Sequence, residues 1–352
     1  SLVRTSAVAL ALFAAPACGD DGGGGGGDTG ATTTTNGSTT TGAGGAAAEC
    51  GPGPGVDPAA PAAAVSKVAA FGPRQETAVV ELDGLVYVLG GFTLAGESDL
   101  VETYDPVGDT WSSRASLPRP LHHANVAAHG GKLYLLGFLE SGAFLARGES
   151  FVYDPAQDQW SPISPMPMGT QRGASATATV GDRILVVGGF RGVGAVTDVS
   201  AYDPVADAWS ELPSLPTGRD HGAAAVIGET FYLVAGRSGQ IESQTSEVFA
   251  LAPGASAWCA KASLPTARGG IAAAVKGGEI WVLGGEGNQG DPSGTFREVE
   301  VYDPETNQWR IETPLPEGRH GTGAATVGGA IIMPGGADQQ AFGAIGSVVR
   351  ID

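Results

Sequence analysis

The sequence predicts an all-β chain wound into a six-bladed β-propeller, with the last blade closed by an N-terminal strand. Three recurring words predict it. The first is a turn between two aromatics: YDPVGDTW from Tyr104, YDPAQDQW from Tyr153, YDPVADAW from Tyr202 and YDPETNQW from Tyr302. The tryptophans Trp111, Trp160, Trp209, Trp258 and Trp309 are spaced 49, 49, 49 and 51 residues apart. A period near 50 residues signals a repeat architecture and outranks any local motif. The second word is an apolar run ending in glycine, as in LVYVLGG to Gly91, ILVVGG to Gly189, IWVLGG to Gly285 and IIMPGG to Gly336. The third is an arginine leading a small-residue stretch, as in RGASATATV from Arg172 and RDHGAAAVI from Arg219.

Each unit reads as four strands, labelled a to d in chain order. Strand a is the arginine word; its Ala, Gly, Ser and Thr suit a crowded central axis. Strand b is the apolar run, short and bounded by glycine as a strand buried on both faces should be. Its terminal glycine pair implies close approach of another group, for which the repeat's tryptophan is the natural candidate. Strand c ends in Tyr-Asp-Pro and strand d starts at the tryptophan. The Asp-Pro turn joins them, since proline pre-sets φ and aspartate bonds nearby amides. Four-stranded blades repeated radially make a propeller. The sixth unit reaches Asp352 after its strand c. Val65 to Arg74 aligns with Trp111 to Arg119, so the N-terminal segment supplies the missing strand d and removes the exposed edges.

These words, with double glycine, tyrosine and tryptophan in that order, resemble the kelch repeat from Val65 to Asp352. Three units depart from the pattern. The second has only Gly137, the fourth has Ala250-Leu251-Ala252-Pro253 for Tyr-Asp-Pro, and the sixth has no tryptophan.

The chain has 352 residues, 57 glycines, 16% charged residues, a net charge of −18 and a sequence pI near 4.5. That balance argues against nucleic acid, which needs a basic patch. Residues 1–18 read as a secretory signal: Arg4, an apolar run from Ala7 to Ala15, then Ala15-Pro16-Ala17-Cys18. Cys18 resembles the lipidated cysteine of a bacterial lipobox. The expectation is an exported, lipid-anchored protein of the bacterial cell envelope, with a plain secreted protein as the alternative, since ordinary signal cleavage would also cut before Cys18. Residues 19–64, rich in Gly, Thr, Ala and Pro, read as a flexible tether, and 65–352 as the propeller. Asn36-Gly37-Ser38 fits the glycosylation pattern, which is frequent by chance in such tracts. An exported compartment permits a disulfide between Cys50 and Cys259; two free thiols are the alternative.

Strand direction puts the d–a and b–c connections on one face, together with the long loops, where binding usually resides. Arg74, Arg119, Arg172, Arg219, Arg268 and Arg319 open on that face as a ring near the channel. His122, His123, His221 and His320 follow three of them. Two readings stand. Converging guanidinium groups can bind carboxylates, as the family resemblance implies for acidic peptides. Alternatively, each arginine ties neighbouring loops together. Paired aspartates such as Asp203 and Asp207 sit in the repeated turn, where they serve backbone hydrogen bonds rather than calcium. No phosphate loop, zinc spacing or Ser/His/Asp order is present, so no cofactor, metal or catalytic residue is assigned.

Two enzyme classes resemble this fold. A copper radical galactose oxidase needs a cysteine crosslinked to tyrosine, and Cys259 sits on an outer strand. A periplasmic sialic acid mutarotase would use arginines with carboxylates such as Glu286 and Glu140. The resulting expectation is a monomeric, membrane-tethered binding module for a protein, peptide or cell-surface glycan, with a sugar-modifying enzyme as the alternative.

Overall fold

Tyrosine faces tryptophan across the same tight turn in four blades of the computed structural model, which describes residues 56–57 and 63–352. The registers are Tyr104 with Trp111, Tyr153 with Trp160, Tyr202 with Trp209 and Tyr302 with Trp309. The turn closes on its own acids. Asp105 Oδ1 accepts the Val107 amide at 2.8 Å. Asp109 holds the left-handed region at φ 49. Its Oδ1 accepts both the Tyr104 hydroxyl at 2.7 Å and the Ala69 amide of the neighbouring blade at 2.9 Å. Asp158, Asp207 and Asn307 repeat this arrangement. The backbone role expected of these aspartates is the one they have.

Six sheets follow, each ordered a-b-c-d from the axis outward. In the third blade the strands are Ala176–Val180, Arg183–Val187, Val199–Asp203 and Ala208–Glu211. Val65–Val68 pairs antiparallel with Val348–Ile351 and completes the sixth blade, so the ring closes as the sequence requires. One addition was not anticipated. Val56–Asp57, inside the expected tether, runs parallel to Gln308–Ile311 as a fifth strand of the fifth blade. Residues 1–55, which hold the expected signal, Cys18 and Cys50, lie outside the described residues. Cys259 on the fourth blade is disulfide-bonded.

Hydrophobic burial is greatest between blades rather than at the axis. Each of six apolar clusters straddles one junction, such as Leu136, Ile184, Val186 and Tyr202 between blades two and three.

The glycine pairs answer to a different group than the tryptophan. A Cβ at Gly188, where φ is +61, would meet the Arg219 carbonyl oxygen at 2.3 Å. The next glycine donates its N–H to that same carbonyl, Gly189 to Arg219 at 2.7 Å and Gly285 to Arg319 at 2.8 Å. What approaches is the backbone of the following blade. The tryptophan instead reaches outward, donating Nε1 to a carbonyl of the preceding blade, as Trp209 does to Ser164 at 3.0 Å. In the second blade Phe138 replaces the second glycine and strands b and c run on as a long hairpin, Lys132–Glu140 with Leu145–Asp154. There the buried Asn125 side chain takes the Arg172 carbonyl instead, at 2.9 Å.

Candidate functional site at the channel mouth

The residue two places after the strand-a arginine forms a ring around the axis. Glu76 donates its amide to the Gly321 carbonyl, Gly321 to Gly270, Gly270 to His221, His221 to Ala174, Ala174 to His123 and His123 to Glu76, at 2.5–3.1 Å. All six are left-handed, with φ between 51 and 66. That conformation is ordinary for glycine and costs other residues on the order of 1 kcal/mol. Glu76, His123, Ala174 and His221 adopt it nonetheless, because the circular bonding fixes the backbone. At Gly321 a Cβ would meet Glu76 Oε1 at 2.5 Å, so a larger residue there would displace the Glu76 carboxylate from its place at the mouth.

The ring projects Glu76, His123 and His221 into the mouth of a channel of about 490 Å³, walled by the small residues of the inner strands. Neighbouring positions add His122, Asp220 and His320, while the b–c loops add Arg237 and Glu286. His123 Nε2 lies 2.9 Å from Glu76 Oε2 and 2.9 Å from His221 Nε2. His221 Nδ1 is 2.5 Å from Asp220 Oδ1. Arg237 donates to Asp220 at 3.1 Å, to Glu286 at 2.6 Å and to His221 Nε2 at 3.0 Å. His122 sits against Phe92 and Phe144, with ring centroids 4.2 and 4.9 Å away. Phe342, largely exposed, touches the same Phe92.

Burial sets the protonation of this group. It pushes His122 down to about 3, with the His123 charge adding to it. It lowers His221 too, aided by Arg237 and opposed by Asp220. Burial works to raise the Glu76 carboxyl, but His123, His320 and His221 outweigh it and hold that carboxyl well below its usual range. At Asp220 burial is likewise outweighed, by His221 and Arg237. Buried titratable groups with perturbed pKa values, gathered in a cleft, make the mouth a candidate functional site.

The arginines do not line this channel. Arg74, Arg172, Arg219, Arg268 and Arg319 are buried inside their blades, their guanidinium groups bonded beneath the b–c loops. Arg172 donates to the Gly188, Val186 and Thr170 carbonyls at 2.6–2.8 Å, and Arg268 to the Gly284 carbonyl at 2.7 Å and to Glu300 at 2.5 Å. Arg319 serves Gly335 and Ser347; Arg219 reaches Glu247. Their expected convergence on the axis is corrected by this geometry. Arg119 is not in the set at all. Leu121, whose carbonyl bonds Gly91 as the arginine carbonyls bond their glycines, holds the equivalent place. Arg119 is partly exposed beside Glu140 and Glu149, so Glu140 also lies away from the mouth, while Glu286 lies in it. His122, His221 and His320 lie together around the mouth. Glu76, Asp220 and Arg237 were missed. The signal for Glu76 and Asp220 was their place two and one residues after the strand-a arginine, and for Arg237 its place directly after the glycine that ends strand b.

The sequence comparisons agree with this fold. A family model described as KLHDC2/KLHL20/DRC7 Kelch-repeats domain matches residues 63–236. The chain belongs to the kelch-repeat family. A second family model, N-acetylneuraminate epimerase, matches residues 212–348. Kelch-like protein terF of Aspergillus terreus is 39% identical over 125 residues, 33% of this chain and 27% of that protein. Kelch-like protein 35 of Mus musculus is 38% identical over 112 residues, 32% of this chain and 19% of that protein. The kelch matches thus span about a quarter or less of those relatives' lengths. A solved structure titled "Structure of YjhT" shares the kelch propeller fold with a TM-score of 0.66 at 17% identity, covering 79% of this chain and 94% of that one.

Proposed function

We propose that this kelch propeller is a binding module that takes the sugar end of a glycan at its channel mouth. The observation that carries the reading is the convergence of Glu76, His123, His221 and Arg237 beside the aromatic rings of Phe92, Phe144 and Phe342. A sugar ring offers apolar C–H faces for such rings and hydroxyls that both donate and accept. The mouth supplies carboxylate and imidazole acceptors and a guanidinium donor within one small volume. An acidic peptide fits less well, because Asp220 and Glu286 already pair with Arg237 and Glu76 adds a third carboxylate at the mouth.

A second reading is favoured by the epimerase match over residues 212–348, which include His221, Arg237, Glu286 and His320. Interconverting sugar anomers needs a base to take the anomeric hydroxyl proton and an acid to protonate the ring oxygen. Carboxylates held ionised supply the base, and the adjoining imidazoles supply a proton carrier. Glycan and peptide binding screens, run beside a mutarotation assay on N-acetylneuraminate, separate the readings. Saturable glycan binding weakened at least tenfold by Arg237→Ala, without mutarotation, supports the module. Rapid mutarotation lost in Glu76→Gln replaces it with the enzyme, and peptide binding alone overturns both.

We also propose that the protein acts at the bacterial cell envelope, anchored by lipid on Cys18. Ala17-Cys18 and the low-complexity stretch that follows support this.

A further inference from the structure

The hydrogen-bond inventory at the mouth leaves acceptors facing acceptors. His221 Nδ1 faces the Asp220 carboxylate, so the ring proton sits there and Nε2 presents a lone pair, whose one donor is Arg237 at 3.0 Å. His122 Nε2 faces the Ser141 carbonyl at 3.2 Å, so its Nδ1 accepts from His123 Nδ1. His123 Nε2 therefore presents a lone pair as well, toward His221 Nε2 and the Glu76 carboxylate, each 2.9 Å away. His320 repeats the pattern. Its Nε2 faces the Gln339 carbonyl at 2.8 Å, and its buried Nδ1 has no hydrogen-bond partner. That nitrogen points at Glu76 Oε1, 3.7 Å away, and Glu286 Oε2, 3.6 Å away. A single extra proton serves only one of these gaps. Buried acceptors without donors are costly, and a cation answers several at once.

We propose that Glu76, His123 and His221 form a binding site for one divalent first-row transition-metal ion on the propeller axis. Two imidazole nitrogens and one carboxylate are the donor set of open zinc and non-haem iron sites. The spacing suits a facial set: donors 2.9 Å apart with bonds of about 2.1 Å subtend roughly 90° at the ion. All three donor atoms lie within 4.8 Å of one another. The longest edge, between Glu76 and His221, has to shorten to about 3.0–3.4 Å for a facial or tetrahedral set, which calls for a rotation of the Glu76 side chain. Asp220 is the positioning residue. Its bond to His221 Nδ1 fixes the tautomer that aims Nε2 at the ion, as carboxylates behind metal-bound histidines do. Arg237 opposes the ion, since its guanidinium competes for His221 Nε2. The remaining coordination positions face the channel.

The site occupies the mouth assigned above to a sugar, but its test needs no sugar, so the two readings fail separately. Metal-stripped full-length protein is titrated calorimetrically with Zn²⁺ and spectroscopically with Co²⁺. One ion per chain with a Kd at or below about 1 μM is expected. Glu76→Gln, His123→Gln and His221→Gln should each weaken binding by well over tenfold, and Asp220→Asn by about 10–100-fold. Arg237→Gln should tighten it, an effect that a merely structural arginine would not give. Thermal melts of the metal-free variants identify any that fail to fold. For those, X-ray absorption on the Co²⁺ form of the wild type decides, and it should show two imidazoles in the ion's coordination sphere. Absent saturable binding, affinity unchanged in the histidine variants, or a sphere lacking imidazole overturns the site.

Discussion

Arginine at the head of strand a and the residue two places later have opposite fates. The guanidinium finds carbonyl acceptors beneath its own b–c loop and is buried there, whereas the later position faces the axis. Arg268 meets the Glu300 carboxylate with both side chains almost fully buried. Arg268→Ala leaves that charge unpaired and should cost about 3–5 kcal/mol in chemical denaturation. Arg119→Ala, which removes only partly exposed ion pairs, should stay within about 0.5 kcal/mol. Equal losses at both positions would restore Arg119 to the repeat. His122 gives the molecule a pH dependence. Its folded value of about 3 lies below the ordinary value of about 6.5. Between these the unfolded chain binds a proton that the folded chain does not. Stability therefore falls on acidification, by about 1.4 kcal/mol per pH unit and about 2 kcal/mol between pH 6.5 and 5. Melts from pH 7 to 5 should be steeper for the wild type than for His122→Phe. Parallel curves would place the uptake elsewhere, with His221 the next group to test.

Strands b and c carry most of the apolar burial, but the least conspicuous strand closes the ring. Val65–Val68 pairs with Val348–Ile351, and Phe71 then stacks on Trp111 at 4.6 Å, joining the sixth blade to the first. Removing residues through Phe71 exposes the edge of Val348–Ile351 and uncovers Val68, Ala69 and Phe71 contacts in the last junction. A truncation that stops at Ala60 keeps them. The longer deletion should melt at least 10 °C lower and aggregate on heating; equal melting of the two would mean that this strand contributes nothing to closure.

At the scale of the whole molecule, the circular bonding of six amides is a property that no blade has alone. It holds four non-glycine residues in a left-handed backbone and fixes their side chains at one point, as a rigid scaffold does for a binding site. The expected envelope location is decided outside the described residues. Cys18→Ser should release the protein from the membrane fraction, and radiolabelled fatty acid should mark the wild type alone. Unlabelled wild-type protein in the soluble fraction would discard the anchor.

The repeat, the strand order and the closing strand were legible from the sequence, because each rests on local words with a fixed period. Tyr-Asp-Pro and tryptophan sit in one hairpin, and Val65 to Arg74 matches a copy of itself. The glycine pairs were legible as places of close approach, but not by what: the Arg219 carbonyl that crowds Gly188 belongs to the next blade. The site was partly legible. His122, His221 and His320 stood out as rare residues after a repeated arginine, while Glu76 looked like any surface acid. Glu76, His123 and His221 are separated by 47 and 98 residues, and only closure of the ring brings them within 4.8 Å of one another. Which side of strand a's first residues would face the axis was likewise a tertiary decision. The arginines went into the blades because unpaired loop carbonyls awaited them there, and that left the mouth to the histidines and carboxylates.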